Sequence, residues 1–255
     1  MRDGLCLSPL LGIPMVKPGD DLVGLLSGAL ERSQITLEPQ DVIVVTQKII
    51  SKSENQYLRL RDVTPSERAR WLAEETQKDP RLVEVILSES SDVVRHKKGV
   101  LVTAHRSGAV LANAGVDQSN VPQDEKDDLV LMLPQSADRS AARIKVALDA
   151  RFNTSIGVVI NDSIGRPWRH GVVSIALGAA GIPSLKNLIG RPDLFGRKMR
   201  VTESAFADQI ATAATLVMGE SDEGIPAVHI RGLRWQDNDR PARDLIRPID
   251  QDMFR

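Results

Sequence analysis

Apolar positions change their spacing along this chain, and the changes mark its elements. Residues 42–45 (VIVV) form an unbroken, β-branched run and read as a buried strand, after which polar residues alternate into the run through TQKIISKSE. A second run, IGVVIND at 156–162, turns polar at its end. It is expected to deliver Asp162 and Ser163 at a strand tip, with Arg166 and Arg169 just behind. IPAVHIRGL is expected to be a last strand, and GVLVTAHRSGAVLANAG a hairpin turning at Arg106, Ser107 and Gly108. Helical spacing appears elsewhere. LVGLLSGAL follows Asp20 and Asp21, acids that the helix dipole favours in a first turn. In TPSERARWLAEETQK, Thr64 is the expected N-cap, Pro65 the first helical residue and Glu67 the residue three on from the cap. RLVEVILSES continues as a second helix. SADRSAARIKVALDARF puts Ala141, Ile144 and Leu148 on one face. VTESAFADQIATAATLVMG puts Phe206, Ile210, Ala213 and Val217 on one stripe, ended by Gly219.

Strands and helices mix without regular βαβ alternation. The expected fold is therefore α+β, with mixed or antiparallel sheets and packed helices, neither P-loop nor Rossmann. No repeat or low-complexity linker interrupts the chain. QDEKDD at 123–128 reads as a solvated loop, and the polar segment from Gln236 as a tail over the surface or a partner subunit. Composition changes this picture in three ways. Aromatic residues are 3% against 42% apolar overall, so the core must be aliphatic. A formal net charge of -1 argues against a nucleic-acid binder that relies on global charge. The one cysteine, Cys6, rules out an intrachain disulfide and a Cys-based zinc site. The opening MRDGLCLSPLLGIPMV is too short and too broken by Pro and Gly to span a bilayer and lacks a signal cleavage pattern, so a cytoplasmic enzyme is the expectation.

Four polar clusters, each flanked by apolar sequence, are candidates for chemistry. Lys48 and Lys52 lie four apart after the first strand; alone they read as a protected sheet edge. NAGVDQSN holds Asn113, Asp117 and Asn120, residues that also make turns. Asp162 and Ser163 sit beside Gly165. In MGESDEGIP, Glu220, Asp222 and Glu223 follow a helix C-terminus, where acids oppose the dipole and a cation would compensate. Together they offer hard oxygen ligands for Mg²⁺ or Mn²⁺ and cations for phosphates. No GxxxxGK loop, no GxGxxG after a strand, no HExxH and no GxSxG is present. The residues alone reach a divalent-metal enzyme acting on a phosphorylated or nucleotide substrate. A metal-dependent phosphohydrolase and a non-catalytic nucleotide-binding regulator both fit that reading.

At these clusters the sequence resembles the coenzyme F420-0:L-glutamate ligase family. GIPMVKPGDDL, DVIVVTQKIISKSE, PSERA, NAGVDQSN, DSIGRPWRHG, IGRPDLFGR and VMGESDEGIPAVHIRGL stand in the family's order, from about Leu7 to Arg234. The resemblance implies a GTP-dependent peptide-bond former: GTP phosphorylates the carboxylate of the lactyl-phosphate arm of F420-0, and the amine of L-glutamate displaces the phosphate. It implies a ligase domain over 1–235, with two intertwined subdomains as one form of it, a tail over 236–255, and a homodimer with active sites near the interface. Two Mg²⁺ or Mn²⁺ ions are implied at Asp117, Asp162, Ser163 and Glu220, with K⁺ as a further cofactor. GTP contacts are implied at Ile13, Pro14, Met15, Val16, Gln47, Lys48, Lys52 and Asn120. The loop Met218, Gly219, Glu220, Ser221, Asp222, Glu223, Gly224 and Ile225 joins them. Asp162, Arg166 and Lys48 are the expected catalytic set, with Arg169 beside Arg166. Partners are small molecules, without nucleic acid or membrane. The chain departs from the family at Asn161, where a hydroxyl residue is usual, and near Gln47 and Lys48. An acid other than F420-0 is the alternative substrate.

Overall fold

The computed structural model describes residues 4–121, 128–236 and 238–253; most of the acidic run at 123–128 lies outside them. In chain order the elements are β1 (Cys6–Pro9), α1 (Leu22–Arg32), β2 (Val42–Thr46), α2 (Gln47–Ser53), β3 (Tyr57–Arg59), α3 (Glu67–Thr76) and α4 (Pro80–Ser88). Then follow β4 (Ser90–Lys97), β5 (Val100–His105), β6 (Val110–Ala112), β7 (Leu129–Leu131) and α5 (Ala137–Phe152). The chain closes with β8 (Gly157–Arg166), β9 (Arg169–Ala180), β10 (Leu185–Asn187), β11 (Glu203–Ala205), α6 (Phe206–Met218) and β12 (Ala227–Arg231).

The central sheet runs β1-β12-β2-β8-β9, with β2 and β8 parallel and the other pairs antiparallel. Alternation along β2 explains why its apolar run is unbroken. Ile43 and Val45 face one core with Leu26, Leu30, Ile144 and Leu148; Val42 and Val44 face the other with Ile210, Ala211 and Ala214. The layers are thus α1 and α5, the sheet, and α6. Residues between α2 and α5 build a second core, in which Leu60, Leu72, Ile86, Leu101 and Val130 are buried between α3, α4, the β4-β5-β6 sheet and the β3-β7 pair. The mixed α+β architecture expected from the sequence is what forms.

Several local expectations change. TQKIISKSE does not extend the strand: α2 begins at Gln47, so Lys48 and Lys52 are one helical turn apart. They guard no edge either, because β2 is central. The helix α3 is capped by Ser66, not Thr64; the Ser66 hydroxyl accepts from the Ala69 N–H at 3.2 Å and is held by the Glu84 carboxylate. Asp20 and Asp21 precede α1 rather than entering its first turn, and the Asp20 carboxylate accepts from the Lys17 N–H at 2.8 Å. On α6 Phe206 and Ile210 are buried as expected, together with Ala207, Ala211, Ala214 and Met218, while Ala213 and Val217 are half-buried.

The largest change concerns β8. It does not end at Asp162 but continues to Arg166 and turns back into β9 through Pro167 and Trp168, with Trp168 at φ 58°. Cross-strand pairing with β9 satisfies the backbone that a strand tip would expose. A register shift between Ile160 and Asn161 is a bulge, which re-aims the following side chains. The hairpin of β5 and β6 forms as expected. The C-terminal segment packs back on the body: Arg240 N–H donates to the Ile182 carbonyl at 2.9 Å, and Ala242 is buried.

Candidate active site

β2 and β8 lie side by side and parallel, and both lead out of the sheet at the same end, where Thr46 pairs with Asn161. Ligands of open sheets gather outside the carboxyl ends of such strands. Here the space is a cavity of about 630 Å³, closed on the far side by β6 and the turn that follows it.

Each wall contributes side chains from a different part of the chain. From α2 come Lys48 and Lys52; from β8, Asp162 and Ser163; from the loop after α6, residues 218–225; from the segment before α1, Ile13, Pro14, Met15 and Val16. Asp117 and Asn120 complete it. Asn113, Ala114 and Gly115 all have positive φ (54°, 52° and 71°), and this costly turn is what swings the chain toward Asp117. Gly115 has no alternative, since a Cβ there would sit 2.6 Å from Leu133 Cγ. Asp117 is then fixed by exchanging backbone hydrogen bonds with Leu131 at 3.0 and 2.8 Å.

The electrostatics are those of opposed charges in a partly dry space. Lys48 Nζ lies 2.8 Å from Asp117 Oδ2 and donates to Ser119 Oγ at 2.6 Å. Burial works against the Asp117 charge, yet the Lys48 ammonium and the Ser119 N–H hold its carboxyl below the ordinary carboxylate range. Lys52 donates to the Asn120 carbonyl at 2.7 Å, and burial, with Lys48 nearby, pulls its ammonium down. Burial pushes the Asp162 carboxyl up to about 7, against the opposing pull of the Ser163 backbone N–H, Lys48 and a hydrogen bond from Gln47. Ser163 Oγ donates to Glu220 Oε2 at 2.6 Å. Behind Ser163, Thr215 donates to Ser174 Oγ at 2.6 Å, a support that comes from β9 and α6.

The acidic loop resolves its conflict with the α6 dipole by itself. Backbone N–H groups of the loop, Ser221 first, hold the Glu223 carboxyl below its usual range; Ser221 N–H donates to it at 2.9 Å. Gly219, at φ 73°, makes this possible, because a Cβ there would lie 1.9 Å from the Glu223 carboxyl carbon.

The cavity therefore gathers Asp117, Asp162, Ser163, Glu220, both lysines, Asn120 and the loop 218–225. Two expected groups stand elsewhere. Gln47 is buried behind the wall, where it braces Asp162 and accepts from Ser51 Oγ at 2.9 Å. Arg166 and Arg169 face each other at the hairpin end, outside the cavity lining. The strand that was expected to stop at Asp162 carries Arg166 about 13 Å further on. Ser174 and Thr215 escape sequence reading, since nothing in a hydroxyl on a strand or helix marks it as support for a site.

The oxygen set fits a hard divalent ion: carboxylates and a hydroxyl, with the Lys48 ammonium already seated against Asp117 as a cation would be. Among the described residues no three acidic, His or Cys side chains already converge into a closed cluster. Water and phosphate oxygens would complete the coordination, as is usual for Mg²⁺.

The model of the F420-0:Gamma-glutamyl ligase family matches residues 11–232, which span every wall of the cavity. The chain belongs to this family. Relatives agree along almost the full length. A coenzyme F420:L-glutamate ligase of Methanopyrus kandleri is 43% identical over 244 residues, covering 94% of this chain and 93% of its own. That of Methanothermobacter thermautotrophicus is 41% identical over 254 residues, covering 99% of each chain. That of Methanocaldococcus jannaschii is 41% identical over 245 residues, covering 96% and 95%. Among the described residues no helix is long and apolar enough to cross a membrane.

Proposed function

We propose that this chain is a ligase that joins L-glutamate to the carboxylate of coenzyme F420-0, driven by GTP through an acyl phosphate. Further glutamates would follow through the γ-carboxylate. Family membership supports a ligase of this kind; the nucleotide and the intermediate are our reading of the cavity. The observation that carries the reading is the convergence of Asp117, Asp162, Ser163, Glu220, Lys48 and Lys52 on one space.

In the first step a carboxylate oxygen of the acid attacks the γ-phosphorus. The bond from that phosphorus to the β–γ bridging oxygen breaks, and GDP leaves with the electron pair. In the second step the glutamate amine attacks the acyl carbon, the bond from that carbon to the phosphate oxygen breaks, and phosphate leaves. The amine proton passes to a carboxylate or to solvent. Both steps bring anions together, which is the main barrier this chain must lower. Lys52, tethered to the Asn120 carbonyl, places an ammonium deep in the cavity for the phosphates. Lys48 neutralises Asp117 and is placed to follow the transferring charge. The loop 218–225 presents backbone N–H groups that now hold Glu223. Asp117, Asp162, Ser163 and Glu220 would hold Mg²⁺ or Mn²⁺, which supplies charge neutralisation and in-line orientation of the phosphates.

A homodimer belongs to the same reading. Residues 189–201 expose Ile189, Leu194, Phe195 and Val201, an apolar surface that a second copy would cover. The catalytic reading is tested by GDP release with each substrate omitted in turn. Release that needs both L-glutamate and F420-0 is expected. Release that persists without either would favour a phosphohydrolase using the same carboxylates.

A further inference from the structure

A second cavity, of about 700 Å³, lies behind one wall of the first. Ile164 lines both spaces, and Leu111 and Val110, neighbours on β6, line the first and the second respectively. Ile164 packs there with Ala109, Leu111, Leu133 and Leu177. The second space is lined in part by small apolar residues of β9, Ala176, Ala179 and Ala180. Its roof is the C-terminal segment, pinned by Asp138. The Asp138 carboxylate accepts from the Ala179 N–H at 2.9 Å, the Ala242 N–H at 2.8 Å and the Arg243 N–H at 3.3 Å.

The charges at this cavity are unequally committed. Asp138 is occupied as described, and Asp208 accepts from the Ala176 N–H at 2.9 Å. Asp239 is exposed at the rim. Arg139 and Arg243 also line the space and are exposed, and among the described residues neither guanidinium has a hydrogen-bond or ion-pair partner. Small apolar side chains beside two uncommitted guanidinium groups suit a ligand with an apolar body and a phosphate.

We infer that the second cavity holds the ring-bearing body of the acid whose carboxylate is activated in the first, with the phosphate of its side arm held by Arg139 and Arg243. This rests on the ligase reading above. A nucleotide with its ions, and an acid at least as large, must be bound at once with reacting atoms in contact. The first cavity is of the size one such ligand occupies, and Ile164, next to Ser163 in the chain, borders both spaces.

The test uses the full-length protein and two sets of changes outside the first cavity. One is the double substitution Arg139→Ala with Arg243→Ala. The other is Ala142→Trp, which fills the second cavity from an exposed helical position one turn beyond Arg139. Binding of F420-0 is read by fluorescence of its ring system without nucleotide, and GTP binding by calorimetry. Each variant is expected to weaken F420-0 binding about tenfold or more, the scale of a lost charge-assisted contact, with GTP affinity within about twofold of wild type. Unchanged F420-0 affinity in both variants overturns the inference. So does a parallel loss of GTP affinity, which would mean one shared pocket. Failure of the wild-type enzyme to glutamylate F420-0 is a different result, and sinks the ligase reading before any variant is made.

Discussion

Burial, opposed first by the Ser163 N–H and then by the Lys48 ammonium, sets the behaviour of Asp162. Its carboxyl is pushed up to about 7 by burial while Lys48 and the Gln47 side chain resist. A cation arriving in the cavity would favour the ionised form. Removing that carboxyl by Asp162→Ala is expected to cut glutamate-dependent GDP release by about 10³-fold or more, since it removes a group acting where charge develops, while far-ultraviolet circular dichroism stays native. Turnover near wild type would take Asp162 out of the mechanism. Lys52→Ala is expected to raise the GTP dissociation constant about tenfold, read by calorimetry, because the ammonium is fixed by Asn120 and partly desolvated. At this scale the sequence was legible where residue type carries the chemistry. Asp117, Asp162, Ser163 and Glu220 stand out as candidate oxygen ligands beside Gly and Asn turns, and they line one cavity. It was silent where role depends on direction. Gln47 looks like a ligand contact in TQK and proves to be a brace, and Arg166 is removed from the cavity by strand length alone.

Among elements, the bulge at Leu177 of β9, opposite Ile160 and Asn161 of β8, and the strained turn before Asp117 place the two acids. A Cβ at Gly115 would meet Leu133 and would also be forced to φ 71°. Gly115→Ala is therefore expected to lower stability by about 2 kcal/mol in chemical denaturation. It should weaken nucleotide binding too, as Asp117 shifts. A second element-scale contact ties β12 to the entry of β2. Asp41 is buried, yet Arg231, at 2.6 Å, and His229 hold its carboxyl far below the ordinary range. A depressed folded pKa means that protonation favours the unfolded chain. This contribution is full above the ordinary carboxylate range, near pH 4, and is lost as pH falls below it. Arg231→Met is expected to flatten the acid limb of a stability-against-pH curve while lowering the plateau at neutral pH; a parallel shift of the whole curve would contradict that. Periodicity located most elements but not their joints. Apolar positions resume at Ile49 and Ile50 after the polar Thr46, Gln47 and Lys48, a pattern that fits a continued strand as well as a helix, so the change from strand to α2 is set by tertiary contacts that a local pattern does not contain.

At the scale of the whole molecule, the central sheet with its two flanking cores and the separate core between α2 and α5 meet at the cavity, and both parts supply lining residues. The exposed apolar residues at 189–201 make a prediction about assembly. A dimer is expected by light scattering, and Leu194→Asp with Phe195→Asp is expected to give monomers. A monomeric wild type would contradict it. Sequence order alone could not show that β6, β8, α5 and the C-terminal segment enclose a second space, because its residues are scattered along the chain and its apolar ones look like ordinary core. The central claim is that the first cavity couples nucleotide cleavage to amide formation. The most direct measurement is the mass of F420-0 after incubation with the protein, GTP, L-glutamate and Mg²⁺ or Mn²⁺. The account predicts a gain of one glutamyl residue or more, matched by GDP. Nucleotide cleavage with the mass of F420-0 unchanged would contradict it.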